Sequence, residues 1–290
     1  MTPRRADLLL AGACFAWGVS FVVVKDALDA ATPLAFLALR FGIAAVFLLP
    51  FVVRSMFQVS RSDLVAGLLL ATLLGAGFMA QTTGLVYTTP SRSAFIVAMS
   101  SVPVPVVAYL FLRQRSHWLA VLALAVAGLG IYLLTAPEAG GMNRGDLLTL
   151  VTAVLFSGQI VAIAELSRRH DPMRLLWLQT AGTAVYATLG ALLLERSSVA
   201  WSLEFGAALG FTAVIATALA LWWQLRAQRH MTSTRAALIF CLEPVFATLA
   251  SWVWLGERLS FTQWVGGALI LAGMVTADLR GARMEGEPPR

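Results

Sequence analysis

Two stretches decide the fold: RSAFIVAMSSVPVPVVAYLFLRQR (92–115) and RAALIFCLEPVFATLASWVWLGER (235–258). Set 143 residues apart, they place Arg235 on Arg92, Ala237 on Ala94, Leu255 on Leu112 and Arg258 on Arg115. The same shift brings Gly273 onto Gly130, and a shift of 139 brings Asp146 onto Asp7 and Pro172 onto Pro33. Matches at equivalent places in equivalent segments indicate a chain written twice. Each stretch is apolar over about 20 residues, the length that crosses about 30 Å of hydrocarbon as a helix.

Working outward, apolar stretches of this kind lie near 7–26, 34–53, 64–84, 92–112, 118–135, 146–164, 173–194, 204–222, 233–254 and 262–279. Only 12% of residues are charged, and the mean hydropathy is +0.80. A soluble domain could not bury so much apolar material, and the short loops leave no room for a separate extramembrane domain. The expected fold is an all-α membrane protein with ten transmembrane helices arranged as a 5+5 inverted-topology repeat. The units are 7–135 and 146–279. Five spans is an odd number, so two copies in tandem must enter the bilayer from opposite sides.

With the N-terminus in the cytoplasm, fifteen of the 21 basic residues fall on the cytoplasmic side, among them Arg4, Arg54, Arg113, Arg168, Arg226 and Arg280. Lys25, Arg92, Arg144, Arg196 and Arg258 fall outside, and Arg40 lies within a span. This bias predicts that both termini are cytoplasmic. The net charge of +6 and pI of about 10.1 are accounted for by lipid headgroups rather than by nucleic acid. Trp118, Trp201 and Trp264 sit near span ends, where an amphipathic ring is comfortable. Cys14 and Cys241 lie inside apolar runs and read as packed residues, with neither disulfide nor metal spacing. The first span, with Arg4 and Arg5 before it, reads as an uncleaved helix.

Small residues mark expected packing seams: Gly67, Ala71 and Gly75 in the third span, then Gly77 and Ala80, with further small residues in the fifth and tenth. Pro103, Pro105 and Pro244 interrupt the hydrogen-bond ladders of the fourth and ninth spans. A kink there either shapes a cavity and hinges a gate or is static.

Arg40 and Glu243 carry the sharpest polar signal. Each lies about 12 Å deep from its own side at 1.5 Å per residue, and an unpaired charge there is expensive. Arg40 is open to structural, substrate-binding and gating roles. Glu243 either anchors the backbone near Pro244 or has a coupling or gating role, with proton uptake as the coupling event. Trp17, Ser20, Gln81, Tyr87, Ser157, Gln159, Trp177 and Gln179 complete the substrate-cavity candidates. Aromatic walls with a few hydrogen-bonding groups suit a small organic solute. There is no zinc-binding HExxH, no phosphate-binding glycine loop and no nucleophile constellation. Neither catalysis, cofactor nor metal is expected, and any transport would draw on a solute or ion gradient.

The run Thr234-Arg235-Ala236-Ala237, continuing through Leu242-Glu243-Pro244-Val245 to Leu255-Gly256-Glu257-Arg258, resembles the bacterial EamA-like transporters of the drug/metabolite transporter superfamily. Trp17-Gly18 followed by Ser20-Phe21 is also typical, and the resemblance covers most of 7–279. The first half departs from it: Leu112-Arg113-Gln114-Arg115 lacks the Gly-Glu pair. The resemblance implies a central cavity ringed by spans one to four and six to nine. It implies more peripheral fifth and tenth spans that aid homodimerisation, and a bacterial cytoplasmic membrane location. It implies export of amino acids, other metabolites or toxic compounds. The expectation is a secondary transporter for a small organic metabolite, working by alternating access and exporting it. Broad toxic-compound efflux and a non-transporting membrane scaffold are the alternatives.

Overall fold

The computed structural model describes residues 1–113, 118–135, 143–255, 260–262, 264–270 and 272. Among them the chain is helical, without a strand. In order, the elements are α1 (Pro3–Ala27), α2 (Pro33–Met56), α3 (Arg61–Leu85), α4 (Pro90–Ala98), a 3-10 turn (Met99–Ser101), α5 (Val104–Leu112), α6 (Trp118–Thr135), α7 (Arg144–Arg169) and α8 (Pro172–Leu194). They continue with α9 (Leu203–Gly210), a π-helical segment (Phe211–Leu219), α10 (Ala220–Gln228), α11 (Ser233–Phe240) and α12 (Glu243–Leu255).

Among the described residues, eight helical stretches are long and apolar enough to cross a bilayer: 3–27, 33–56, 61–85, 92–112, 144–169, 172–194, 203–228 and 233–254. α6 is a further apolar helix of 18 residues. Half of the tenth expected span and the Gly256-Glu257-Arg258 loop lie outside the described residues.

Local chemistry fixes the helix starts. Pro3, Pro33 and Pro172 open α1, α2 and α8, where a missing N–H leaves nothing unpaired. Ser60 with Asp63 and Asn143 with Asp146 form reciprocal capping boxes at α3 and α7. The outer surface is apolar: Leu8, Val46, Phe51, Leu192 and Val253 all point outward. In lipid such a surface needs no cover.

Glycine sets the closest helix contacts. A Cβ on Gly67 would fall 2.5 Å from Leu178, and one on Gly75 would fall 3.1 Å from Tyr186. One on Gly182 would meet the Ala71 Cβ at 2.6 Å. The expected small-residue stripe of α3 is thus the seam with α8. Gly18 lets α1 approach α12 at backbone distance, with Phe246, Ala247 and the Glu243 carbonyl all within 3 Å of a Cβ built there.

The helix directions follow from a few bonds. Gly84, near the end of α3, abuts Gly145 at the start of α7. Asp63, at the start of α3, bonds His170 just past the end of α7 at 2.7 Å. α3 and α7 are therefore antiparallel. Lys25, near the end of α1, donates to the Leu85 carbonyl at 2.7 Å and the Thr88 carbonyl at 3.2 Å. The starts of α1 and α7 therefore lie at opposite ends of the bundle.

Three expected continuous spans are interrupted. The fourth breaks between α4 and α5 through the 3-10 turn, ahead of Pro103 and Pro105. The ninth breaks at the turn between α11 and α12, immediately before Glu243 and Pro244. The span over 203–228 widens into the π-helical segment, where Thr217 Oγ1 donates to the Thr212 carbonyl five residues back at 2.8 Å. No proline marks this last site.

Candidate functional site

A cavity opens where α1, α3, α4, α7, α10, α11 and the start of α12 converge, enclosing about 560 Å³ counted out to its open side. Its walls repeat themselves. The 139-residue shift pairs Trp17 with Phe156, Ser20 with Gln159 and Phe21 with Ile160, and all six line the cavity. The 143-residue shift pairs Phe78 with Leu221, Gln81 with Gln224, Val97 with Phe240 and Ser100 with Glu243, again all lining it. The two halves contribute matching positions to one chamber.

Of the residues expected from sequence, the cavity gathers Trp17, Ser20, Gln81, Gln159 and Glu243. The Trp17 indole N–H donates to the Ala216 carbonyl at 2.8 Å, which fixes its ring, and Ser20 Oγ donates to the Trp17 carbonyl at 2.8 Å. Gln81 Oε1, Gln159 Nε2 and Gln224 Oε1 are buried without a hydrogen-bond partner among the described residues. Such groups need a partner from water or a solute. Glu243 is 9% exposed, and no hydrogen bond or ion pair reaches its carboxylate among the described residues. The break that ends α11 at Phe240 puts Glu243 at the first turn of α12, on the cavity wall.

Arg40 stands behind this wall. It is 2% exposed. Its Nε donates to Thr217 Oγ1 at 2.7 Å, and Nη2 donates to the Ala216 carbonyl at 3.4 Å. Its guanidinium lies 4.9 Å from the centre of the Phe78 ring, a distance at which a cation is attracted to the ring face. The widened helix at 211–219 thus offers one carbonyl, that of Ala216, to both Trp17 and Arg40. A π-turn frees such acceptors because its hydrogen bonds skip one residue further than in an α-helix.

The other expected residues lie elsewhere. Trp177 donates to the Ala45 carbonyl at 3.1 Å, within the contact of α2 with α8. Gln179, the 139-shift mate of Arg40, is fully buried, and neither of its amide atoms has a partner among the described residues. Ser157, the mate of Gly18, is buried in α7 with its hydroxyl unpartnered among the described residues. Tyr87 follows α3 and is 57% exposed. Pro103 and Pro105 flank the start of α5, and Pro244 follows Glu243 in α12.

Phe21, Phe78, Phe156, Phe240, Ser100 and Gln224 were not singled out from the sequence. Apolar aromatics in a span look alike whether they face lipid or cavity. Ser100 and Gln224 were legible, because the repeat shift carries Glu243 to the first and Gln81 to the second.

Two ion pairs lie at the opposite ends of the bundle. Asp7 accepts from Arg235 Nε at 3.1 Å and from Nη2 at 2.8 Å, joining the start of α1 to α11. Asp146 meets Arg92 Nη2 at 2.7 Å, joining the start of α7 to α4. Asp146 is the shift mate of Asp7, and Arg235 is the shift mate of Arg92. Each pair joins one half of the chain to the other. They differ in setting: the Asp146 side chain is 1% exposed, and that of Asp7 is 29% exposed. Asp146 also accepts from Thr88 Oγ1 at 3.0 Å.

A family model described as the EamA-like transporter family matches residues 4–136 and again 143–277. A protein of Archaeoglobus fulgidus, described as an uncharacterized transporter, is 33% identical over 276 residues, spanning 95% of this chain and 86% of its own. A Bacillus subtilis protein, described as the uncharacterized transporter YoaV, is 23% identical over 89% of this chain and 91% of its own. A solved crystal structure, described only as that of a protein, shares the fold with a TM-score of 0.80 at 20% identity, over 97% of this chain and 99% of its own.

Proposed function

The chain belongs to the EamA-like transporter family, and from that premise we propose that it is a secondary transporter exporting a small organic metabolite by alternating access. In this mechanism ten spans form two five-helix units, 7–135 and 146–279, of opposite topology. Both termini lie in the cytoplasm of a bacterial inner membrane. The route is the cavity lined by Trp17, Ser20, Gln81, Gln159 and Glu243.

The observation that carries the proposal is the mirrored pair of clasps on one mirrored chamber. Asp7–Arg235 holds the cytoplasmic end and Asp146–Arg92 the outer end. Two units rocking against each other open one end by breaking one pair while the other stays made. The breaks before Glu243 and after Ala98 supply hinge points at matching places. The mirrored clasps are unequal. The outer pair is buried and braced by Thr88, while the cytoplasmic pair is close to one-third exposed. An exposed pair holds by about 0.2–1 kcal/mol, whereas breaking a buried one costs about 3–5 kcal/mol.

Thiol labelling tests this. Cys14 and Cys241 are buried and free, so Cys14→Ala with Cys241→Ala gives a background in which Ser100→Cys reports the cavity. In oriented vesicles a membrane-impermeant maleimide should reach this cysteine from each side in turn. Labelling from neither side would leave only a packed scaffold, and labelling from one side alone would remove alternating access.

A further inference from the structure

We propose that the cavity binds organic cations, meaning amines and small quaternary ammonium ions with an apolar body, and that Glu243 is their counter-charge. This rests on the cavity being the solute site of the transport mechanism, and binding alone can test it.

Among the described residues Glu243 is the one ionisable side chain on the cavity wall. It is nine-tenths buried, and its carboxylate has no hydrogen bond or ion pair among the described residues. A carboxylate in that position is left short of the solvation that it would have in water. Its place in the first turn of α12 sets it at a helix end that presents partial positive charge. A bound cation supplies the rest. The mirrored half does not balance this charge, since the position equivalent to Glu243 is Ser100.

The neighbouring groups point to the same chemistry. Of the three unpartnered amide atoms on the wall among the described residues, Gln81 Oε1 and Gln224 Oε1 are acceptors that match the N–H donors of an ammonium group, and Gln159 Nε2 is a donor left to water or another polar group. Trp17, Phe21, Phe156 and Phe240 present aromatic surface, and a cation is attracted to the face of such a ring. Phe78 is already taken, because Arg40 sits 4.9 Å from its ring centre. Arg40 is no substitute for a bound cation: it lies outside the cavity lining, with its guanidinium held by Thr217 and the Ala216 carbonyl. An anionic solute would face Glu243 directly, and a neutral one would leave the carboxylate unpaired.

The test is calorimetry on the purified full-length chain in nanodiscs, using three ligands with the same phenyl body: phenethylammonium, neutral 3-phenylpropanamide and anionic 3-phenylpropionate. Phenethylammonium should bind at least ten-fold tighter than the amide, and the anion should not bind. Glu243→Gln should bring the amine down to the level of the amide, while Glu243→Asp keeps the preference. Equal binding of amine and amide to the unaltered protein would overturn the proposal, with no variant needed. Binding of the anion, or a preference that survives Glu243→Gln, would overturn it too. If vesicles move the amide while the amine fails to bind, transport stands and the cation site falls. If the amine binds through Glu243 but crosses no vesicle membrane, the cation site stands and transport falls.

Discussion

Replacing Asp146 by Asn should unlatch one end of the bundle and leave the other shut. The variant isolates the charge. Its amide oxygen, in the place of Oδ2, still accepts from the Asn143 N–H, now at 2.8 Å, while its NH2, in the place of Oδ1, donates to Thr88 Oγ1, which in the native protein donates to Oδ1 at 3.0 Å. What is lost is the 2.7 Å pair with Arg92, in which the Asp146 side chain is 1% exposed and that of Arg92 is 21% exposed. Arg92 retains some access to solvent, so the low end of the buried-pair range applies, about 3 kcal/mol. The matching change, Asp7→Asn, breaks a pair whose side chains are 29% and 31% exposed, worth about 0.5 kcal/mol. At about 1.4 kcal/mol per factor of ten, the first shifts the opening equilibrium roughly 100-fold and the second roughly two-fold. The assay is the rate of maleimide labelling at Ser100→Cys from each side of oriented vesicles. Asp146→Asn should raise labelling from the outer side, and Asp7→Asn should raise it slightly from the cytoplasmic side. Equal effects from both variants, or faster labelling from the cytoplasmic side in Asp146→Asn, would refute the assignment of unequal clasps.

Three other outcomes follow from particular contacts. Gly18→Val places a side chain against the α12 backbone, where even a Cβ would lie within 3 Å of Phe246, Ala247 and the Glu243 carbonyl; overpacking of about 1–3 kcal/mol should lower the midpoint of a thermal unfolding scan. Arg40→Ala removes the donor to Thr217 and Ala216 and should reduce transport more than Arg40→Lys does, so equal activity of all three proteins would place Arg40 outside the mechanism. Asp63→Ala loses the α3 capping box together with the bonds to His170 and Arg174; a loss of about 2 kcal/mol or more, read as a lower unfolding midpoint, is expected from the removed cap and ion pair.

Eight of the ten expected spans were readable because a bilayer imposes a length and a composition, and eight helical stretches among the described residues meet both. The interruptions at Pro103 and Pro244 were readable because proline cannot continue the ladder. The widening at 211–219 was not. It arises where Thr212, Thr217, Trp17 and Arg40 share carbonyls across helices, and no single residue type announces that. The cavity was legible only through its polar members. Trp17, Ser20, Gln81, Gln159 and Glu243 stand out against an apolar background, whereas Phe21 and Phe240 are chemically identical to the phenylalanines that face lipid. A polar residue inside a span also need not reach the cavity. Trp177 is engaged by Ala45, and Tyr87 lies out in the turn after α3.

The clasps join early sequence to late sequence, and that has a biosynthetic consequence. Arg235 leaves the ribosome 228 residues after Asp7. At translation speeds of about 5–20 residues per second, the first helix waits roughly 11–45 s for its partner. Arg92 waits a shorter time for Asp146. Throughout that interval Trp17, Ser20 and Gln81 must be sheltered by something other than their final neighbours. Insertion machinery that releases helices one by one would expose them to lipid, so the nascent chain requires a holding site until its second half arrives.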